Sequence, residues 1–294
     1  MTIERIAILG TGLIGASVGL ALRSHGFEGE ITGWDPDPKQ SAIALEKSAI
    51  HRIADNPLIA AEQNEVILLC GPVLTILEWL DLLGSMLQPE QLVTDVGSVK
   101  QALCEHAASR FNGPDQPGFL PGHPMAGKEV GGAANADAEL FNNAVWLFTE
   151  PASAASMHPA ARVLADEWRA WIAKLGCRVI DLDPARHDVL CAWISHLPQF
   201  VSTAMSALLE EQFAANDDLL PIGGRALREM TRLGASPFSM WRDIAHTNSE
   251  AIANSLLALE QHLAHIRENL KTPELREEFE RANRFRLVTN PRKA

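Results

Sequence analysis

Three short motifs place polar side chains where acid–base chemistry is possible. They are DVGSVK with Ser98, GHPMAG with His123, and SHLPQ with His196. The first two follow short β-rich segments, and ligands of open α/β sheets bind at the carboxyl ends of the strands. The sequence contains no Tyr, so no phenol is available for proton transfer and histidine is the expected acid or base.

The motif around His123 has the features of a catalytic loop. Pro124 stiffens the backbone beside the histidine, and Gly122 and Gly127 keep bulky side chains away. We therefore interpret His123 as a general base, although an isolated histidine is more often structural. Ser98 has two interpretations, a site residue or the N-cap of a helix that begins there, and its position supports both.

Four arginines in the last third of the sequence are candidates for binding an acidic substrate. The planar guanidinium group binds both oxygens of a carboxylate. Most helical arginines are solvated, so spacing alone singles out none of the four. They are Arg225, Arg228, Arg232 and Arg242.

A glycine-rich turn near the N-terminus predicts a dinucleotide site. Residues 10–15 (GTGLIG) follow a strand and open a helix, and Asp35 ends the next strand 20 residues after Gly15, as the dinucleotide fingerprint requires. Asp35 would bind ribose hydroxyls and repel a 2′-phosphate, which favours NAD over NADP. Recruitment of Lys39 or Arg52 would weaken that preference, and a glycine turn without a ligand is the plain alternative. The predicted cofactor-binding residues are Gly10, Gly12, Leu13, Ile14, Gly15 and Asp35.

Strands and helices alternate up to residue 181 and so predict a doubly wound parallel sheet. The expected strands are residues 3–9, 30–34, 65–70, 92–95, 118–121, 145–148 and 177–181. The expected helices are residues 13–25, 75–86, 98–110 and 159–175.

After residue 181 the strand signals vanish and helical stretches dominate. We expect helices at residues 184–211, 223–231, 238–270 and 273–282, and a frayed basic tail from residue 284. The third helix carries an apolar stripe. That stripe would pack inside the helical domain or at a dimer interface, because a helical domain of this size has little core of its own. Its members are Ile252, Leu256, Leu259, Leu263, Ile266 and Leu270.

Composition and charge narrow the class of protein. The 294 residues suffice for about two domains. The net charge of −12 argues against binding to nucleic acid or to an anionic membrane. The uncharged segment 6–22 resembles a signal-peptide core, but its four glycines and its length disfavour that interpretation. The four cysteines lack C-x-x-C spacing and predict neither a metal site nor disulfides, so we expect a cytoplasmic protein.

The motifs, taken together and in this order, resemble the prephenate/arogenate (cyclohexadienyl) dehydrogenase family of tyrosine biosynthesis. The resemblance covers nearly the whole chain and is more specific than the glycine turn alone. It implies an α/β N-terminal domain, residues 1–181, with a Rossmann-type doubly wound parallel sheet, followed by an all-α C-terminal dimerisation domain, residues 182–294. The segments that carry it are 10–17 (GTGLIGAS), 95–100 (DVGSVK), 122–129 (GHPMAGKE), 140–146 (LFNNAVW), 195–199 (SHLPQ), 231–237 (TRLGASP) and 241–244 (WRDI).

The resemblance also implies a role for each site residue. His123 would take the proton of the substrate 4-hydroxyl group, and Ser98 would assist it through a hydrogen bond. His196 would orient the substrate, and Arg232 would bind the ring carboxylate. The implied reaction is the NAD-dependent oxidative decarboxylation of prephenate or arogenate by a homodimer that pairs through its helical domain.

The substrate and two rival functions stay open at this point. Prephenate carries a keto group where arogenate carries an ammonium group; Lys128 would favour the first and Glu129 the second. Ala226 and Glu229 replace an aromatic residue and an Asp common in the family, which affects the pocket and not the reaction class. A β-hydroxyacid dehydrogenase would need a catalytic lysine in the helical domain, whereas the conspicuous loop lysines lie in the first. A NAD-sensing regulator would need a partner surface, which the negative charge disfavours.

Overall fold

The computed structural model describes residues 3–128, 130–150, 152–213 and 222–289, and its main feature is a parallel sheet. The strands of this sheet are β1 Arg5–Leu9, β2 Glu30–Trp34, β3 Arg52–Ile53, β4 Val66–Leu69, β5 Leu92–Asp95 and β6 Gly118–Leu120. All neighbours are parallel, in the order β3-β2-β1-β4-β5-β6. The order reverses between β1 and β4, which is the ligand-binding switch point of a doubly wound sheet. The predicted Rossmann-type fold is confirmed.

Three further strands form a separate sheet, which corrects the expectation of one continuous parallel sheet. They are β7 Gly122–Pro124, β8 Val145–Phe148 and β9 Arg178–Asp181. β7 runs antiparallel to β8, with His123 opposite Leu147, and β8 runs parallel to β9. Pro121 lies between β6 and β7 and has no N–H to donate, so the ladder stops there. His123 therefore lies in a strand and not, as predicted, in a loop.

Helices cover both faces of the main sheet. They are α1 Leu13–Ser24, α2 Pro38–Glu46, α3 Pro57–Glu62, α4 Val73–Leu83, α5 Gln101–Ala107 and α6 Pro159–Lys174, with short 3₁₀ segments at Ala133–Asn135 and Ala152–Ser156. Helices α2 and α3 and strand β3 were not predicted. The N-cap interpretation of Ser98 is wrong, because α5 begins at Gln101 and Ser98 lies in the preceding loop.

The described elements after β9 are all helical. The elements are α7 Pro184–Cys191, a π-helical segment Ala192–His196, α8 Leu197–Phe213, α9 Arg225–Thr231, a 3₁₀ segment Arg232–Ala235, α10 Phe238–Thr247, α11 Ser249–Glu268 and α12 Glu274–Thr289. The predicted helix 238–270 is broken at Asn248, whose backbone leaves the helical region. The predicted frayed tail is wrong up to Thr289, which ends a regular helix.

The core consists of two clusters, one on each face of the main sheet. Ile6 and Ile8 face the cluster that includes α1, α6 and the second sheet, whereas Ala7 and Leu9 face the cluster under α4 and α5. Ile244 of α10 joins the second cluster, so the helical part packs on the α4–α5 face. Within the part of the chain that the structure describes, no helix has the length and apolar character needed to span a membrane.

Candidate active site

The turn between β1 and α1 has the geometry of a phosphate-binding loop. Gly10 adopts φ +102°, and a Cβ there would lie 2.4 Å from the Cys70 carbonyl oxygen. A Cβ on Gly15 would lie 2.0 Å from the Gly10 carbonyl oxygen, so α1 and the turn approach too closely for a larger residue. A Cβ on Gly12 would meet no atom of the described residues within 4 Å. This open space lies in front of a helix N-terminus, as a dinucleotide pyrophosphate requires.

The N-terminus of α1 offers backbone donors to an anion. Gly12 is the N-cap, and no side chain caps this end of the helix. The first N–H groups of a helix have no partner within the helix. Leu13 is buried and Ile14 is partly buried, so their backbone N–H groups, and not their side chains, are suited to bind phosphate.

Asp35 follows β2 and lies against the glycine-rich turn. Its carboxylate accepts the N–H of Thr11 at 2.8 Å and the N–H of Asp37 at 3.0 Å. Burial raises the pKa of the Asp35 carboxyl group, and these two hydrogen bonds oppose the shift. Arg52 forms an ion pair with Glu30, which opposes its recruitment to a 2′-phosphate. The turn and the Asp35 carboxylate together fit a dinucleotide whose adenine ribose carries no 2′-phosphate, as predicted for NAD.

Asp95 and Lys100 form a buried ion pair that joins two of the motifs. Lys100 Nζ also donates to the carbonyl oxygen of Gly122 at 2.7 Å. Asp95 also accepts the N–H of Gly97 at 2.7 Å and that of Gly122 at 3.1 Å. A buried ion pair is stable only when its other polar partners are satisfied. The pair thus fixes the DVGSVK loop against the strand that carries His123.

His123 lies in the middle of β7 and is 7% exposed. Its Nδ1 lies 2.9 Å from Nε2 of His187 in α7. Burial, and then the neighbouring His187, Lys100 and His196, lower the pKa of His123 well below its ordinary value. The imidazole is therefore neutral near pH 7, in the form that accepts a proton.

His187 and Asp188 bring the helical part of the chain to His123. His187 Nδ1 lies 2.7 Å from Asp188 Oδ1. The same carboxylate accepts the N–H of Lys100 at 2.7 Å and the N–H of Gln101 at 3.0 Å, at the start of α5. Neither residue was assigned a role from the sequence. The adjacent His-Asp pair was a visible signal, but nothing in the sequence shows that it meets a histidine 64 residues away.

His196 ends the π-helical segment and is buried. Asn248 Nδ2, which donates to the Asp188 carbonyl oxygen at 3.0 Å, also lies 3.3 Å from His196 Nδ1. An amide nitrogen donates, so Nδ1 accepts and the hydrogen of the neutral ring is on Nε2. That Nε2 has no hydrogen-bond partner among the described residues, and burial lowers the pKa of His196 to about 4. His196 thus presents a neutral N–H donor.

Arg232 is exposed and begins the 3₁₀ segment after α9. Gln199, three residues after His196, donates from Nε2 to the carbonyl oxygen of Leu233 at 2.7 Å. This bond holds the TRLGASP motif beside the end of α8 that follows His196. The structure therefore brings the predicted carboxylate-binding residue to the same end of the helical part as His196.

The loop residues considered for substrate discrimination are only partly described. Lys128 Nζ donates to the Asn135 carbonyl oxygen at 3.0 Å and to the Asp137 carboxylate at 3.1 Å, so it is bound within its own loop. Glu129 lies outside the described residues. Ser98 is partly buried, in the loop that the Asp95–Lys100 pair fixes against β7.

The described part of the chain brings three potential metal ligands together. Ligand atoms of His123, His187 and Cys191 lie within 4.8 Å of one another. The direct hydrogen bond between the two histidines, and the 3.5 Å contact between Cys191 Sγ and His187 Nε2, account for this proximity.

Two family models match the chain. The model described as "Prephenate dehydrogenase, nucleotide-binding domain" matches residues 18–173, and the model described as "Prephenate dehydrogenase, dimerization domain" matches residues 183–284. The matched segments correspond to the α/β part and to the helical part of the structure.

Individual relatives are similar over most of the chain. The prephenate dehydrogenase of Bacillus subtilis is 30% identical over 254 residues, which are 85% of this chain but 65% of that protein, slightly less than two thirds of its length. The crystal structure of A. aeolicus prephenate dehydrogenase in complex with hydroxyphenyl propionate and NAD⁺ is 26% identical, with a TM-score of 0.85 over 98% of this chain and 99% of that one. Synechocystis arogenate dehydrogenase is 30% identical, with a TM-score of 0.75 over 96% and 98% of the two chains. By these matches, the chain belongs to the prephenate dehydrogenase family.

Proposed function

We propose that this chain catalyses the NAD⁺-dependent oxidative decarboxylation of prephenate, arogenate or both, to 4-hydroxyphenylpyruvate or tyrosine. The observation that carries the proposal is His123, a buried neutral histidine. Lys100 binds the Gly122 carbonyl oxygen and Asp95, so it holds the strand of His123 against the end of β5. The dinucleotide turn follows β1 at the same carboxyl end of this parallel sheet. The names of the relatives from B. subtilis, A. aeolicus and Synechocystis support the same reaction class.

The cofactor fits the turn at the N-terminus of α1. The backbone of residues 10–15 would hold the pyrophosphate, with space left by Gly12 and close packing permitted by Gly15. The Asp35 carboxylate would accept the ribose hydroxyl groups, which supports NAD⁺ over NADP⁺. When bound, the nicotinamide supplies a hydride acceptor.

His123 acts as the general base of the proposed reaction. Neutral His123 takes the proton of the ring 4-hydroxyl group as the C4 hydride leaves, and Ser98 positions that hydroxyl group through a hydrogen bond. The C1–carboxylate bond then breaks and its electron pair makes the ring aromatic. The proton returns from His123 to the ring oxygen. The net change in the substrate is therefore the loss of one hydride and one CO₂.

His196 and Arg232 bind the substrate in this proposal. The Nε2–H of His196 donates to an acceptor of the substrate, which satisfies a buried polar atom. Arg232 pairs with the ring carboxylate, the group that leaves as CO₂. The side chain, a keto acid in prephenate and an amino acid in arogenate, takes no part in the bond changes, so both substrates are compatible with this chemistry.

We further propose that the chain has a domain boundary at residues 181/182. We also propose that it forms a homodimer and that it is cytoplasmic. The last strand ends at Asp181 and α7 begins at Pro184, which supports the boundary. Large apolar side chains exposed on α11 and α12 support pairing through the helical domain. The four cysteines are free thiols, as in a reducing compartment.

The test of the proposed function is a matrix of four assays. Purified protein is mixed with prephenate or arogenate and with NAD⁺ or NADP⁺, and the reduced nicotinamide and the aromatic product are measured. We expect turnover of at least one substrate, with NAD⁺ preferred. No turnover in any of the four would refute the proposal.

Two controls identify the rival functions. Turnover of a 3-hydroxy acid with none of prephenate or arogenate would indicate a β-hydroxyacid dehydrogenase. Binding of NAD⁺, measured by calorimetry, without turnover of any of these substrates would indicate a NAD-binding regulator.

A further inference from the structure

Asp188, His187 and His123 form a hydrogen-bonded triad that crosses from the helical part of the chain to β7. Asp188 Oδ1 lies 2.7 Å from His187 Nδ1, and His187 Nε2 lies 2.9 Å from His123 Nδ1. Each distance is that of a hydrogen bond with one shared hydrogen atom. All three side chains are buried, so water does not compete for these bonds.

The direction of each hydrogen bond in the triad follows from the carboxylate at one end. A carboxylate only accepts hydrogen bonds, and that of Asp188 also accepts two backbone N–H groups. Nδ1 of His187 must therefore carry a hydrogen. Nε2 of neutral His187 then carries a lone pair and accepts the hydrogen bond from Nδ1–H of His123. The lone pair of His123 is consequently left on Nε2.

We infer that Asp188 and His187 are positioning residues of the reaction, which hold His123 in the tautomer whose Nε2 accepts the proton of the substrate hydroxyl group. The inference rests on the proposed function. When Nε2 takes the proton, Nδ1–H keeps its hydrogen bond to His187, and the carboxylate of Asp188 compensates the positive charge through two hydrogen bonds. No bond within the triad has to break in this step.

The charges around the triad explain why a carboxylate is needed there. Burial is the main cause of the lowered pKa of both His123 and His187. The positive charge of the buried Lys100 ammonium lowers both pKa values further. The hydrogen bond from His187 to Asp188 opposes that shift in the pKa of His187. Asp95 offsets part of the ammonium charge through its ion pair with Lys100. Asp188 is the carboxylate that hydrogen-bonds directly to His187.

The other titratable neighbours do not supply that charge. Cys191 Sγ lies 3.5 Å from His187 Nε2, but burial raises the pKa of its thiol to about 12, so it stays neutral. Burial lowers the pKa of His196 to about 4, so it too is neutral near pH 7. Without Asp188, a proton on His123 would face Lys100 and no carboxylate linked to it through hydrogen bonds.

A purely structural role for Asp188 makes different predictions. Its carboxylate also binds the N-terminus of α5, and its carbonyl oxygen accepts Asn248 Nδ2 at 3.0 Å. Loss of these bonds alone would lower the free energy of unfolding but leave the tautomer of His123 and the pH profile unchanged. The tests therefore measure tautomer and pH profile as well as stability.

The first test reads the tautomers directly and needs no turnover. In full-length protein labelled with ¹⁵N-histidine, two-bond ¹H–¹⁵N spectra distinguish a protonated Nδ1 from a protonated Nε2. We expect both His123 and His187 to carry hydrogen on Nδ1, and His123 to lose this preference in His187→Leu. Hydrogen on Nε2 of His123 in the wild type would refute the inference, even if the enzyme is active. The same spectra keep the inference testable if the proposed function fails.

The second test compares two replacements of His187 with a matched control. Gln retains an oxygen that accepts Nδ1–H of His123, whereas Leu offers no acceptor. We expect kcat to fall about 10²-fold in His187→Leu and less than about tenfold in His187→Gln, with KM for NAD⁺ unchanged. Cys191→Ala removes a buried neighbour on the same helix and should retain kcat within about twofold. Equal losses in all three variants would show a packing effect and overturn the inference.

The third test removes the charge of Asp188 and keeps its size. The carboxylate favours the protonated forms of the histidines, so Asp188→Asn should lower the pKa of the base and move the acid limb of kcat to lower pH. Maximal kcat should fall as well. A lower thermal midpoint together with an unmoved pH profile would indicate helix capping alone and would refute the positioning role.

Discussion

At the residue scale, the proposed proton transfer rests on His123, whose burial favours the neutral ring. An Asn at this position keeps the approximate size and a hydrogen-bonding amide but accepts no proton. We expect His123→Asn to lower kcat roughly 10²–10⁴-fold, the usual contribution of a positioned base. Turnover is measured by steady-state kinetics, and NAD⁺ affinity by calorimetry serves as the control, because the cofactor turn is unaltered. Near-normal kcat would contradict the assignment.

The pH dependence of activity follows from the same residue. Only neutral His123 accepts the proton, and burial lowers its pKa well below the ordinary value. We therefore expect kcat to be level near neutral pH and to decline only below about pH 6.5, the pKa of an unperturbed histidine. A decline that begins above this pH would argue against His123 as the base.

Acid instability has to be separated from this decline. Burial lowers the pKa of His196 to about 4 in the folded state, below that of the unfolded chain. The unfolded chain therefore binds a proton first, and stability that is present above about pH 6.5 is lost as the pH falls toward 4. The free energy of unfolding, measured at each pH, shows which part of the activity loss reflects unfolding.

At the element scale, the N-cap glycine of α1 and a glycine within α1 should respond oppositely to the same added methyl group. In Gly12→Ala the new Cβ meets no atom of the described residues within 4 Å, so folding is retained while the cofactor pyrophosphate is obstructed. Loss of a hydrogen bond to a charged group costs about 1.5–3 kcal/mol, which predicts a roughly 10–150-fold weaker affinity for NAD⁺. In Gly15→Ala the Cβ would lie 2.0 Å from a backbone oxygen.

The expected cost of Gly15→Ala is one of stability, about 1–3 kcal/mol from overpacking. Denaturant unfolding and calorimetric titration with NAD⁺ distinguish the two variants. An unchanged NAD⁺ affinity in Gly12→Ala would remove the glycine turn from the cofactor site. An unchanged unfolding midpoint in Gly15→Ala would show that α1 and the turn are less closely packed than the structure indicates.

Local signals explain which elements could be predicted. The predicted strands and helices up to residue 181 and the turn between β1 and α1 follow from periodicity and position, and all of them are present, although β3 and β7 were not predicted. Helices α2 and α3 were missed although Asp37 and Asn56 cap them, each followed by a proline. Such a cap followed by Pro at the first helical position is a recognised helix start, so both helix starts are visible in the sequence.

Other features depend on distant contacts and could not be predicted from local sequence. Asn248 breaks a helix because its side chain binds the Asp188 carbonyl oxygen, 60 residues away. The start of α5 moves from Ser98 to Gln101, where the Asp188 carboxylate accepts the free N–H groups. Neither partner is visible in a helical periodicity pattern.

At the scale of the whole molecule, the candidate site exists only because the two parts of the chain pack together. His123 comes from the second sheet, whereas His187 and His196 come from the helical part. Ile244 and Ile252 of that part join the apolar cluster under α4 and α5. The motifs could be listed from the sequence, but their convergence depends on this packing.

The apolar stripe predicted on the third long helix has a buried start and an exposed end, and its last member, Leu270, lies just after α11 ends at Glu268. Ile252 near its start is buried in the core, whereas Leu263 and Leu270 are 56% and 59% exposed. On α12, Phe279 is 66% exposed. Large exposed apolar side chains favour an interaction site when they form one patch, and a homodimer buries the same patch of both subunits.

Charge placed on this surface should therefore dissociate the proposed dimer. We expect the double variant Leu263→Asp/Leu270→Asp to elute as a monomer under conditions where the wild type is a dimer, as measured by light scattering coupled to size exclusion. Both side chains are mainly exposed within one subunit, so the variant should fold, which circular dichroism checks. Leu82→Asp, a 51% exposed leucine on α4, is the matched control and should leave the dimer intact. A double variant that remains dimeric would place the interface elsewhere, and a monomeric wild type would refute the homodimer itself.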